Sequence, residues 1–438
     1  MRIGVLLVVG VLGVIPETFT PQEKQLALEE LSKNLFKSRI EYLGEEKGLG
    51  VIATEDIQTG DLIAQEKELL APVSFEDFEW SAYFEKEPGI VFVVARMIYE
   101  RLVNTKEAKS NLWAHIPSST IETVHNWTEP ELEYFNKQFG FNIKTLDIEF
   151  EPSMQKYFER IQTIPEIHTM CPICLTKEAW IWGYATIKSR RFTITKYLWR
   201  LLNKYNYSEE DKNSRITITI PSIEFLNHMP IPLNSKTHNL TTGIRFNPDN
   251  SADLYSERDF KKGEELYFEY DKNSNVKLLV NYGFVLDRNV NDVILVSRTK
   301  TGDCPGNLYR ATAPEKCLFT SMVFELDQKL LKYILLSNAR VEDNLEFEEL
   351  FEKNPNLRSD LINTLRGYRF TQINSSLSRC AENYEVLKQR LAENIYNNHR
   401  HKLVDRLCVS SYWSFFQHLK LVDRTLIKYY TRILFLES

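Results

Sequence analysis

Three short segments follow one another near the middle of the chain, and together they restrict its fold more than any other feature. The first, Ser222-Ile-Glu-Phe-Leu-Asn-His228, is an apolar run closed by an Asn-His pair. The second, Gly263-Glu-Glu-Leu-Tyr-Phe-Glu-Tyr-Asp271, is a strand that follows a Lys-Lys-Gly-Glu turn and delivers Tyr270 at its end. The third runs from Ser274 to Phe284, with Ser274 suited to cap a short helix and Gly283 suited to stop it. Each segment therefore ends on polar or aromatic side chains that a core alone does not require.

The surrounding chain reads as α+β. Residues 21–38 carry Leu26, Leu28, Leu31 and Leu35 near a helical period, which predicts an amphipathic helix. Strands are expected at Ile40–Leu43, Gly50–Ala53 and Asp61–Ala64, and again at Arg215–Ile220, Gly243–Phe246, Ala252–Tyr255, Glu265–Phe268 and Asp292–Val296. Residues 90–103 and most of 111–208 read as helical, with one long helix expected from Glu178 to Leu202. Beyond Thr301–Gly306, residues 314–436 alternate apolar clusters with Glu, Lys and Arg at helical spacing, broken near Lys353-Asn-Pro355 and Arg366-Gly367. This predicts an all-helical domain over 301–438.

Of the 438 residues, 43% are hydrophobic and 26% charged, an ordinary globular balance, and the net charge is -6. Non-specific nucleic-acid binding, which needs an excess of phosphate-neutralising Lys and Arg, is disfavoured. Residues 1–20 resemble a secretory signal: Arg2 precedes an apolar stretch from Ile3 to Ile15, and Pro16 ends it. That stretch is too short for a stable membrane span, which takes about 20 apolar residues. A hydrophobic element packed on the body, in a cytoplasmic or nuclear protein, is the alternative. Sequons at Asn126, Asn206, Asn239 and Asn374 carry little weight in so Asn-rich a chain. Of the six cysteines only Cys171 and Cys174 are close, and no further Cys or His stands at zinc-site spacing. No metal site is expected; the pair reads as structural or incidental thiols, with a disulfide or a metal site as the secretory alternative.

The residue types in this constellation are compatible with methyl transfer without by themselves singling it out. Such a reaction must hold an amino-acid tail, an adenosine and a sulfonium, and must align a neutral nitrogen with the methyl group. Asn227 both donates and accepts, His228 offers a backbone group or ring nitrogen, and Arg190 offers a fork for a carboxylate. Gly48 and Gly50 allow close backbone approach to a ligand, and Tyr270 carries a rigid hydroxyl able to orient an amine. Taken singly, each has a bland reading: a turn, a solvated helix face, a core aromatic. Their order along the chain is what distinguishes them.

That order resembles the SET-domain protein methyltransferases, most of all the branch of the Rubisco large-subunit lysine methyltransferase and its histidine- and lysine-methylating relatives. Lys47-Gly-Leu-Gly50 is similar to the first cofactor loop. Trp182 to Phe192 is similar to the Trp…Ser-Arg-x-Phe helix, with Ser189 and Arg190 in the matching positions. Glu224-Phe-Leu-Asn-His228 stands where the family has Asp-x-x-Asn-His, and Tyr270 with Tyr282-Gly-Phe284 matches the catalytic tyrosine and aromatic closure. The resemblance implies a SET fold over 39–300, with small β-sheets, a knot-like C-terminal segment and a helical insert at about 111–208. It implies a helical substrate-binding domain over 301–438. It further implies S-adenosylmethionine as cofactor, held by Gly48, Leu49, Gly50, Ser189, Arg190, Glu224, Asn227, His228, Tyr270, Tyr282 and Phe284. Tyr270 would be the catalytic residue, and a lysine, or alternatively a histidine, of a protein the target. Glu224 in place of Asp, and Met229-Pro230 after Asn-His, depart from the family pattern and keep a catalytically inactive binding module as the alternative.

Overall fold

The computed structural model describes residues 20–43, 48–67, 79–84, 89–103, 123–139, 142–195, 215–229, 242–247, 251–270, 274–287, 289, 292–297, 309–310, 316–320, 380, 384–396 and 398–414. The signal-like residues 1–19, Lys47, Pro230, Asp271, the breaks near Pro355 and Gly367, and the sequons at Asn206, Asn239 and Asn374 lie outside them. The chain divides into two compact units: residues 1–126, 148–231 and 237–270 form the first, and 127–147, 232–236 and 271–438 the second.

The first unit opens on α1 (Pro21–Ser32), started by a capping box in which Thr20 and Glu23 satisfy each other's backbone N–H groups. The helix is shorter than the 21–38 that its leucines predict. Leu26 is exposed, and Leu35 sits instead in an isolated bridge to Ala64. Lys37, at φ 56°, turns the chain into β1 (Ser38–Tyr42). Tertiary pairing thus takes the last apolar residue away from the helical pattern.

Strands β2 (Leu49–Ala53) and β3 (Leu62–Glu66) follow where expected. A helical region then comprises α2 (Ser81–Phe84), α3 (Gly89–Leu102), α5 (Phe150–Ile161), α6 (Ile167–Met170) and α7 (Lys177–Arg190); α4 (Glu129–Phe139) lies between α3 and α5 in sequence but belongs to the second unit. The long helix expected over Glu178–Leu202 stops at Arg190. Phe192-Thr-Ile-Thr195 forms strand β4, paired antiparallel with β5 (Arg215–Ile218). β-Branched residues lose side-chain freedom in a helix and favour a strand, and here a partner strand is available; residues 196–202 lie outside the described ones.

Strands β6 (Asn227–His228), β7 (Thr242–Phe246), β8 (Ala252–Ser256) and β9 (Glu265–Phe268) complete two small sheets, ordered β1-β2-β9-β6 and β3-β8-β7. Their inner faces enclose one apolar core with Val51, Ile63, Leu254 and Leu266 at its centre. A second core gathers the helices around Trp180, Trp182, Tyr157 and Phe84. There α7 approaches α3 closely enough that a Cβ on Gly183 would meet Val94 Cγ1 at 2.9 Å. Cys171 and Cys174, buried beside this core, form a disulfide rather than free thiols.

In the second unit a helix spans Asn275–Tyr282, capped by Ser274 and stopped by Gly283 in the left-handed conformation, as the sequence indicates. The expected all-helical region begins later than residue 314. Strands β11 (Tyr309–Arg310) and β12 (Lys316–Thr320) pair with β10 (Val293–Ser297) in a three-stranded sheet. Helices then occupy Tyr384–Glu393 and residues 399–414, and a Cys380–Cys408 disulfide ties the second of these to the preceding chain. Asn275 donates to Ser410 Oγ (2.7 Å) and Leu286 O (2.9 Å) and accepts from Leu286 N (2.9 Å), so a buried amide fastens its helix to the helix over 399–414. Buried Asp405 accepts from the Tyr134 and Tyr396 hydroxyls. Among the described residues, no helix is long and apolar enough to cross a membrane.

Two predictions follow from packing and charge. Gly183→Val should lower stability by about 1–3 kcal/mol, because the added branches must displace buried Val94 and Ile98; an unchanged denaturation midpoint would contradict the close helix contact. Glu131 is partly desolvated, which raises its pKa, but hydrogen bonds from Asn398, Thr128 and Arg400 outweigh this and hold it down to about 2. Its folded pKa lies below the unfolded value of 4.5, so its stabilisation is full above 4.5 and disappears as pH falls toward 2. Glu131→Gln should flatten the acid limb of the stability curve in that window; an unaltered limb would exclude this carboxylate as a source of acid sensitivity.

Candidate functional site

Much of the predicted constellation comes together in the first unit, and strand pairing is the means. The two-residue β6 lies parallel to β9, with Asn227 opposite Tyr267 and His228 opposite Phe268. β9 is also antiparallel to β2, with Val51 opposite Leu266. One strand therefore holds the Gly48–Gly50 loop on one side and the Asn-His pair on the other.

Asn227 Nδ2 bridges these elements, donating to Glu265 Oε1 at 2.8 Å and to the Leu49 carbonyl at 3.3 Å. The expectation that Asn227 would both donate to and accept from a ligand is thereby narrowed. Both amide hydrogens have partners within the chain, and Oδ1 is left as its acceptor. Glu265 is itself held by the Tyr267 hydroxyl at 2.6 Å. The space a Cβ on Gly50 would take is filled by the chain itself, with Leu43 Cδ1 at 2.3 Å and Asn227 Nδ2 at 3.0 Å, so the glycine admits these side chains rather than the ligand approach that the sequence suggests. Gly48 serves a different need, a φ of +66° at the turn into β2 that side chains rarely adopt.

His228 and Tyr270 form the other half. The Tyr270 backbone N–H donates to His228 Nδ1 at 3.2 Å, which assigns a neutral ring's proton to Nε2. The two rings are 5.2 Å apart between centroids. The Tyr270 hydroxyl donates to the Leu226 carbonyl at 2.7 Å. With its proton committed there, any further hydrogen bond at the phenol oxygen is one that it accepts.

Ser189 and Arg190 end α7. Ser189 Oγ donates to Thr186 O and accepts from Arg190 Nη1 at 3.1 Å. Arg190 Nε stands 3.6 Å from Glu224 Oε1, whose side chain is 2% exposed. The carboxylate facing Arg190 is thus the chain's own Glu224. The separation exceeds hydrogen-bonding distance, and Arg190 Nε is buried with no hydrogen-bond partner among the described residues. Tyr282 and Phe284 belong to the second unit, where they flank Gly283 with ring centroids 6.0 Å apart.

Two contributors escape a reading by motif. Glu265 reads as an ordinary strand residue, yet it orients Asn227. Glu66, 3% exposed at the end of β3, accepts from both the backbone N–H (3.1 Å) and the hydroxyl (2.7 Å) of Ser222, which fixes the start of the Ser222–His228 segment. A carboxylate at a strand end carries no local signal of such a long-range role. Among the described residues, no cluster of His, Cys, Asp and Glu is arranged to hold a metal ion.

Comparison with known proteins identifies the family and the fold. The SET-domain family model matches residues 48–271. Over 123 residues the chain is 27% identical to Protein SET DOMAIN GROUP 40 of Arabidopsis thaliana, covering 27% of this chain and 25% of that protein. Over 110 residues it is 28% identical to the actin-histidine N-methyltransferase of Xenopus tropicalis, covering 24% of this chain and 17% of that one. The aligned stretches thus span a quarter or less of these relatives. The solved structure of Rubisco LSMT bound to AdoMet superposes with a TM-score of 0.60 at 17% identity, covering 94% of this chain and 93% of that one. The same protein bound to sinefungin and monomethyllysine also gives 0.60. This likeness, at such low identity, concerns the fold. Since the matched stretch is just over half of the chain and runs from the Gly48 loop through β6 to Tyr270, the chain belongs to the SET-domain family.

Proposed function

We propose that the chain is an S-adenosylmethionine-dependent protein methyltransferase acting on a lysine side chain, with histidine as the alternative target. The observation that carries this is the Tyr270 hydroxyl, hydrogen-bonded to the Leu226 carbonyl and lying beside the Asn227-His228 strand. The AdoMet and monomethyllysine named for the Rubisco LSMT structures, and the histidine named for the actin enzyme, supply the cofactor and the two target types.

The residues present fit that cofactor. Arg190 Nε has no hydrogen-bond partner among the described residues, and its guanidinium would hold a carboxylate in addition to Glu224, which already faces it at 3.6 Å. Asn227 Oδ1 is an acceptor for an ammonium, and at Gly48 no described atom lies within 4 Å of a Cβ position, so the backbone there is open to close approach. When bound, S-adenosylmethionine supplies an electrophilic methyl group on sulfur. The chain's own part is positioning. Glu265 and Leu49 O fix the Asn227 amide, His228 fixes the Tyr270 backbone, and Leu226 O fixes the direction of the Tyr270 hydroxyl proton. The phenol oxygen then accepts from the target N–H and turns the nitrogen lone pair toward the methyl group. A lysine entering such a site becomes neutral more readily, because desolvation and a nearby cation both lower its pKa. Glu224 facing Arg190 also favours a second reading, in which a SET-fold module binds a partner without transferring methyl groups.

Labelled-methyl incorporation into a lysate, paired with calorimetry, separates the readings. Tyr270→Phe should lower the rate about 100-fold or more while cofactor binding persists. Asn227→Ala should weaken cofactor binding about tenfold or more, the loss of a charge-assisted hydrogen bond. Folded wild-type protein that binds no S-adenosylmethionine would leave the binding-module reading; equal labelling by Tyr270→Phe and wild type would remove the tyrosine from the mechanism.

The disulfides Cys171–Cys174 and Cys380–Cys408 among the described residues support the secretory reading of residues 1–20, since such pairs persist mainly in oxidising compartments. Native protein should then begin beyond residue 1 on N-terminal sequencing; a retained Met1 would count against cleavage.

A further inference from the structure

The helical part of the first unit contains a cavity that the Gly48–Tyr270 constellation does not use. Its volume is about 160 Å³, and it opens between the start of α2 and the end of α5 with α6. Glu79, Trp80 and Tyr83 line one side, and Ile164, Glu166 and Met170 are among the residues of the other. Small organic ligands and nucleotides usually occupy clefts of roughly 300–1,000 Å³. This space is smaller and closer to the scale of a single long side chain.

The lining has a definite chemical character. Trp80 is buried and held edge-on against Tyr99, with ring centroids 4.9 Å apart. The Tyr99 hydroxyl donates to Glu79, which orients that carboxylate. Tyr83 and Met170 are 36% and 53% exposed, so the mouth is apolar while two carboxylates stand at it. The wall that carries Glu166 and Met170 is braced by the Cys171–Cys174 disulfide directly after α6. Aromatic and apolar walls accommodate an aliphatic stem, and ring faces with carboxylates attract a cationic head. Among the lining residues nothing is positively charged, so an anionic ligand is disfavoured.

We infer that this cavity is a docking site for a basic side chain, lysine or arginine, on a protein partner, the partner being the methylation substrate engaged away from its target residue. The identity of the partner rests on the methyltransferase reading; the binding of a basic side chain does not.

The test uses the full-length chain without cofactor, labelled at its methionine methyl groups, with the Met170 resonance assigned through Met170→Leu. The probes are Nα-acetyl-lysine amide, Nα-acetyl-arginine amide and, as the uncharged control, Nα-acetyl-norleucine amide. The lysine or arginine amide should shift the Met170 signal saturably, and the norleucine amide should not. Glu166→Gln and Tyr83→Ala, both changes at partly or fully exposed side chains, should each weaken binding about threefold. Absence of a shift with both basic amides, an equal shift with the norleucine amide, or unchanged affinity in both variants would overturn the proposal. If methyl transfer is established separately, Glu166→Gln should raise KM for the protein substrate and leave kcat unchanged. An unchanged KM would remove the substrate as the partner while leaving the amide result intact.

Discussion

The site depends on two residues of parallel strand. Asn227 and His228 pair with Tyr267 and Phe268, and that short ladder converts two segments about forty residues apart in sequence into neighbours. A parallel pair cannot be closed by a tight turn; it needs a long crossover connection. Here the crossover includes β7 and β8, which form a sheet of their own with β3. The Asn227 amide then ties the ladder to the Gly48–Gly50 loop, and Tyr270 ties its own backbone and hydroxyl to His228 and Leu226. Each bond constrains a group that the proposed chemistry requires in one orientation.

The supports of this arrangement are carboxylates in unfamiliar roles. Glu265 and Glu66 both accept hydrogen bonds from the motif segment. Acceptors removed from water, as buried Glu66 is and half-buried Glu265 in part, are costly without donors and directional with them. They therefore fix the backbone of Ser222–His228 more firmly than its apolar residues alone would. Glu224 differs: it faces Arg190 across 3.6 Å without a hydrogen bond, so that pair keeps latitude that the Asn227 amide lacks.

A good part of this was legible in the sequence. The capped helix Asn275–Tyr282 was readable because Ser274 and Gly283 act within a few residues of themselves. Most strands were readable because alternation and turn residues are local. The failures share a cause. Leu35 continues a helical spacing but pairs with Ala64, and Phe192–Thr195 continues a helical composition but pairs with Arg215–Ile218. Lys316–Thr320 lies in a helix-like region but completes a sheet with β10. In each case a distant partner strand outweighs the local preference, and no window of neighbouring residues contains that partner.

The amino-acid order by itself nominated the candidate side chains: Gly48, Gly50, Asn227, His228 and Tyr270 stand out as types through backbone freedom, amide bonding and a rigid hydroxyl. Tertiary structure alone decided how they are used. It assigned the Asn227 hydrogens to Glu265 and Leu49, directed the Tyr270 proton to the Leu226 carbonyl, and joined Cys171 to Cys174. The reason is physical: a residue's donor and acceptor capacity is a local property, whereas the partner that satisfies it is set by which strands pair.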